Sequence, residues 1–230
     1  MLDERAARRA LRRQCISIAV AVVPFAIAFG VSCAEAGLGV GEALGFSALV
    51  FTGAAQFAAV RVLDDGGAAA AAIATAVLLS LRKLAYGVVM APILPGPRWR
   101  RALSAHLVLD ETMAAGASQP TVGLQREAFF LCGGLIFVFW NVATVLGVVA
   151  GSSAGDLVET LGIDATIPAA FLALLWPRLA DRTQRVVAAA GAVIALVLVP
   201  VAPAGLPILA AGLGVFAARV GGRPRDAVTP

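Results

Sequence analysis

Long uncharged runs separated by short charged clusters dominate the chain. Residues 15–34, 43–60, 66–81, 84–97, 128–155 and 186–218 contain no Asp, Glu, Lys or Arg. None of them alternates apolar with polar residues at a period of two, as a barrel strand facing lipid would, so the runs predict helices. Runs 15–34 and 128–155 each reach the roughly 20 residues that an α-helix needs to cross a bilayer. Lipid offers backbone N–H and C=O groups no partner, which leaves helices as the spanning element. The pattern predicts an all-α, polytopic membrane helix bundle of about six to eight membrane segments, some discontinuous or re-entrant.

The charged clusters orient those segments. Arg5, Arg8, Arg9, Arg12 and Arg13 precede the first run; Arg98, Arg100 and Arg101 form a second cluster, Arg178, Arg182 and Arg185 a third, and Arg219, Arg223 and Arg225 a fourth. Basic residues concentrate on the cytoplasmic side of membrane proteins, so all four clusters, and with them both termini, are expected inside. Three apolar segments, 15–34, 43–60 and 66–94, separate the first cluster from the second, yet an even number of crossings must return the chain to the cytoplasm. Segment 43–60 is the expected exception. Gly37, Gly39, Gly41, Gly45 and Gly53 surround it, and Glu35, Glu42, Asp64 and Asp65 flank it, which suits a broken helix entering from outside. The same parity makes 102–125 the odd segment between the second and third clusters, beside 128–155 and 165–177, with Asp156, Glu159 and Asp164 marking an external loop. Pro200, Pro203, Gly205 and Pro207 divide 186–218 into two helices around an external turn. Six firm spans and two discontinuous segments result, the latter entering from opposite faces as the halves of an inverted repeat do in many secondary transporters.

Composition agrees with this picture. The 230 residues are 60% hydrophobic and 14% charged, with a mean hydropathy of +0.90, too apolar for a water-soluble fold of this length. The net charge of +4, from 17 Arg and one Lys against 14 acids, sits between apolar runs and does not indicate nucleic acid. Cys15, Cys33 and Cys132 show no ligand spacing, so neither a metal site nor a disulfide framework is expected. At about 20 residues the first run exceeds a signal peptide's apolar region, and it is read as a span. There is no GxSxG, HExxH or phosphate-binding glycine loop, and no second histidine to pair with His106; no enzyme and no cofactor are expected.

Ionisable and amide side chains inside membrane segments cost several kcal/mol, on the order of 2.5–3.5 each for charges, and tend to face a bundle interior or a watery cavity. Gln56, in FTGAAQFAAV beside Gly53, is either a helix-to-helix hydrogen bond or a substrate contact. A broken helix at Gly53 would free N–H groups that bind carboxylates. Arg82 and Lys83, in SLRKLAYG, either snorkel to an interface or place Arg82 as counter-ion to Asp110, Glu111 or an anionic substrate group. Asp110 and Glu111, adjacent in LVLDETMAAG, diverge by about 100° on a helix, so only one can face a given partner; they are candidate proton-coupling groups or a helix cap. Asn141 beside Trp140 falls mid-run. Gly37/Gly41/Gly45 and Gly147/Gly151/Gly155 follow small-xxx-small spacing and predict close helix packing.

The order of these pieces resembles the AzlC family, the large subunit of two-component branched-chain amino-acid exporters. The resemblance is carried by PFAIAFGVSCAEAGLG, SALVFTGAAQFAAV, SLRKLAYGVVMAPIL, LVLDETMAA, FVFWNVATVLGVVAG and IPAAFLALLWPRL, from about residue 20 to 218. Where the family commonly has Asn-x-Arg-His, this chain has Ser80, Leu81, Arg82 and Lys83, so Arg82 carries over and the Asn and His do not. The resemblance implies export of branched-chain or similar apolar amino acids, a small hydrophobic AzlD-type partner subunit and a bacterial inner membrane. Residues 1–14 are then a basic cytoplasmic segment, 15–220 a membrane transport domain and 221–230 a cytoplasmic tail. The expected site is Gly53, Gln56, Arg82 and Asn141 for substrate, with Asp110 and Glu111 for proton coupling.

Overall fold

The structure, a computed structural model, describes residues 2–153, 172, 176–202 and 206–217. Every regular element among them is helical. Three stretches are long and apolar enough to cross a bilayer: Arg5–Glu35, Ala69–Met90 and Val122–Ser152. They turn apolar residues outward in helical stripes, Ile73, Val77, Leu84 and Val88 on one and Val138, Val142, Leu146 and Val149 on another. Such faces are costly in water and neutral in lipid. The fold is a membrane helix bundle.

The first span is made of α1 (Leu2–Ala21) and α2 (Val23–Glu35). Pro24 falls in the first turn of α2, where its missing N–H costs little, and Val22 and Ala26 still bond back to Ile18 and Val22 across the joint. Gly37 ends α2 at φ 77°, with Leu38 N–H reaching Cys33 O at 2.8 Å, a left-handed cap that glycine adopts without strain. The centre of the bundle is α2 against the 32-residue α9 (Val122–Ser153). A Cβ on Gly30 would strike the Thr144 carbonyl, and one on Gly147 the Ile27 carbonyl; Gly151 lies against Ala34 and Val31. The expected Gly147/Gly151 packing surface is therefore present, with Gly30 as its counterpart. Gly41 and Gly45 have no heavy atom near their would-be Cβ positions, so the first glycine triplet forms no such surface among the described residues. Phe29, Ile136 and Trp140 belong to the core around the crossing, and Phe129 to a second cluster with Met90, Ile93, Leu94 and Val108.

Both segments singled out by parity are broken. Segment 43–60 falls into α3 (Val40–Leu49) and α4 (Gly53–Asp64), and segment 102–125 contains α7 (Arg98–Ala105) and α8 (Asp110–Ala117). Between them, α5 (Ala69–Ser80) and α6 (Arg82–Met90) make one span jointed at Leu81. The expected pair of helices in 186–218 is α10 (Arg182–Leu198) and α11 (Leu206–Ala211), the latter running into a 3₁₀ turn, Gly212–Ala217, that packs on α10 at Gly191. Among the described residues, the returning limb is shorter than a full span. The acidic loop with Asp156, Glu159 and Asp164, most of 165–177, Gly155 and the tail 221–230 lie outside the described residues.

Candidate functional site

Helix α3 stops at Leu49 although nothing in VFT forbids helix. Its break is an inverse turn in which Thr52 N–H bonds Val50 O at 2.6 Å, with Val50 at φ −99°, ψ 53° and Thr52 extended at φ −165°, ψ 107°. Ending a helix in a membrane leaves carbonyls without donors, and each orphan must be met by another part of the protein. Three side chains meet them here. Gln56 Nε2 donates to Ser47 O at 2.9 Å, Lys83 Nζ to Phe51 O at 2.6 Å, and His106 Nε2 contacts Ala48 O at 2.8 Å. A carbonyl can only accept, so the His106 Nε2 carries hydrogen. The imidazole also stacks on Phe51, with centroids 5.7 Å apart, and Phe137 of α9 meets Phe51 edge-on at 5.1 Å.

His106 itself begins the second break, so the two breaks are in contact. The chain runs from Ala105 through residues 106–109 into α8, whose entry is set by Thr112: its Oγ1 accepts from Leu109 N–H at 2.8 Å and donates to Leu107 O at 2.7 Å. Asp110 and Glu111 occupy the first turn of α8, where the positive end of the helix dipole favours acids. Arg82 Nη1 lies 3.3 Å from Asp110 Oδ2, with the two side chains 43% and 37% exposed. The counter-ion reading of Arg82 thus holds toward Asp110. Glu111, the next residue of α8, is half-buried.

Helix α9 closes the site from the third side. Phe137, Trp140 and Asn141 share a face at i, i+3 and i+4. The Trp140 ring packs on Gly53, whose would-be Cβ lies 3.1 Å from Cη2, so glycine at the start of α4 admits the indole. Asn141 Nδ2 donates to Phe137 O at 2.8 Å on its own helix. Among the described residues, five buried polar atoms on these elements have no partner: Ser47 Oγ, Gln56 Oε1, Asp110 Oδ1, Trp140 Nε1 and Asn141 Oδ1.

Of the expected site residues, Gly53 and Gln56 sit on α4, Gly53 against Trp140, and Arg82 of α6 pairs with Asp110 of α8; Glu111 follows on α8, and Asn141, next to Trp140 on α9, bonds within its own helix. Gln56 is fully buried and joins the two half-helices. Lys83 and His106 are the residues that sequence reasoning left without a role. They are the chain's single lysine and single histidine, and a membrane break rich in orphan carbonyls needs donors of that kind. The α4 N-terminus remains uncapped, with no acid in its first turn and no side-chain hydrogen bond from Thr52.

Fold and site together define a helical membrane protein in which two helix breaks meet near an ion pair. The family model described as AzlC protein matches residues 17–153, well over half of the chain, and the chain belongs to the AzlC family. It is similar to an uncharacterized membrane protein of Archaeoglobus fulgidus, 33% identical over 76% of this chain and 78% of that one. An uncharacterized membrane protein of Helicobacter pylori is 26% identical over 79% and 80%. The inner membrane protein YgaZ of Escherichia coli is 26% identical over 71% and 69%. No solved structure matches the chain.

Proposed function

We propose that this protein is the transporting subunit of a proton-coupled exporter of branched-chain or related apolar amino acids, seated in the bacterial inner membrane with both termini cytoplasmic and assembled with a small hydrophobic AzlD-type subunit. The observation that carries the proposal is the junction of the two helix breaks, where unpartnered polar atoms and an ion pair lie among apolar walls. A zwitterion needs three things from such a site. Its carboxylate takes the uncapped N–H groups at Gly53 and the Arg82 guanidinium. Its ammonium takes Asp110, whose Oδ1 is unpartnered, with Glu111 as the neighbouring proton carrier and Asn141 Oδ1 as a neutral acceptor. Its side chain lies against Phe51, Phe137 and Trp140. Substrate that engages Arg82 and Asp110 separately must split their ion pair, which ties binding to rearrangement of α6 against α8.

Leucine or valine counterflow in vesicles containing the protein and its co-purified partner tests the reading, because a passive pore cannot sustain uptake against a gradient. Arg82→Ala and Asp110→Asn are each expected to lower counterflow by about tenfold or more, the scale of a lost charged hydrogen bond. Undiminished counterflow in both removes the pair from the mechanism, and its absence in the wild type returns the protein to a channel-like or scaffolding role.

A further inference from the structure

An unwound membrane helix presents carbonyl oxygens at the negative end of a half-helix, and in carriers such a set coordinates a small cation. At the end of α3 that set is already met by protein donors. Of the seven carbonyls from Phe46 to Thr52, six accept a hydrogen bond: Phe46 from Val50 N–H, Ser47 from Gln56 Nε2, Ala48 from His106, Val50 from Thr52 N–H, Phe51 from Lys83 and Thr52 from Gln56 N–H. Only one of these donors carries a full charge. Lys83 Nζ reaches Phe51 O at 2.6 Å across 32 positions of sequence, while the neighbouring carboxylate of Asp110 pairs with Arg82.

We propose that Lys83 is a tethered cation: its ammonium, on Phe51 O in the break just past the C-terminal end of α3, holds the place that a sodium ion would take, so the break is closed by the protein's own charge and no metal cation is required there. This builds on the site described above but not on the identity of what it carries. It assigns to Lys83 a role that a merely space-filling residue lacks, since both charge and donor geometry are needed and a small free cation can replace them.

Heating the purified full-length protein while following tryptophan fluorescence tests this without a transport assay. The wild type is expected to melt at one temperature in sodium, potassium and choline chloride at equal ionic strength. Lys83→Ala is expected to melt roughly 5 °C or more lower and to regain part of that loss in methylammonium or sodium chloride but not in choline chloride, whose bulk keeps it out. Lys83→Gln, which keeps a donor without the charge, is expected to fall between the two and serves where the alanine variant does not survive purification. Specific stabilisation of the wild type by sodium overturns the proposal. So does a Lys83→Ala protein that melts with the wild type, or one whose loss small cations and choline repair equally. Because no substrate enters the measurement, failure of counterflow and failure of this prediction are separate results.

Discussion

At the scale of single residues, the site is organised by backbone groups that a membrane would otherwise leave unpaired. His106 shows the cost. His106→Phe keeps an aromatic ring against Phe51 but strips Ala48 O of its donor, and a buried acceptor left alone costs about 1–3 kcal/mol. A melting temperature lower by roughly 3–10 °C is the expected outcome in detergent, with His106→Gln, which can still donate, closer to the wild type; equal melting of the phenylalanine variant would show that the hydrogen bond contributes nothing. The acids and Arg82 were legible in the sequence because a charge inside an apolar run calls for a partner. Lys83 and His106 were not: Gly53 announced the break, but nothing in the chain says which distant donors meet the carbonyls of Ala48 and Phe51. Val50, Phe51 and Thr52 are β-branched or aromatic and reach the turn with negative φ, so the turn residues themselves carry no glycine or proline and only Gly53, just beyond them, marks the spot. Lys83 stands where the AzlC family commonly has histidine, and its hydrogen bond to Phe51 O gives that departure a physical content.

At the scale of elements, the charge-free runs and cluster parity located the broken helices, while the glycines were read less well. Spacing alone cannot tell a glycine that admits a neighbouring helix from one that merely lies on an open face, since that depends on what stands opposite. Gly30 and Gly147 face each other's backbones across the α2/α9 crossing, whereas Gly45 faces nothing. Gly30→Ala must push a carbonyl of α9 aside, and over-packing of this kind costs about 1–3 kcal/mol. Gly45→Ala adds a methyl group to an open helical face and gains up to about 1 kcal/mol of helix propensity. Purified side by side, the first variant is expected to melt below the wild type and the second at or above it. Reversal of that order would mean that the α2/α9 crossing is not the tightest contact of the bundle.

At the scale of the whole molecule, the orientation proposed above has the two broken segments enter from opposite faces and meet at their breaks. In the proposed orientation residues 1–14 and 98–101 lie on one side of the membrane, and the first span, Arg5–Glu35, carries the chain to the other. If α3 and α4 dip in and return, the turn at 65–68 is external, and Ala69–Met90 then brings Arg98 back to the cytoplasm. By the same logic α7 and α8 would dip from inside, Ser118 would follow α8 on the cytoplasmic face, and Val122–Ser152 would cross outward. Contact between His106 and Ala48 is what two such dips require, because each reaches only partway into the bilayer. The native cysteines make this topology testable without first removing them: Cys15, Cys33 and Cys132 are fully buried, so a bulky, membrane-impermeant maleimide should leave them unmodified. Ala68→Cys and Ser118→Cys each put a thiol at an exposed position beside a helix end. Intact cells are expected to show labelling of Ala68→Cys alone, with Ser118→Cys reacting only after the membrane is opened. Labelling of Ser118→Cys from outside would mean that α7 and α8 cross the membrane instead of returning, and the two breaks would then belong to spanning helices and not to opposed half-spans.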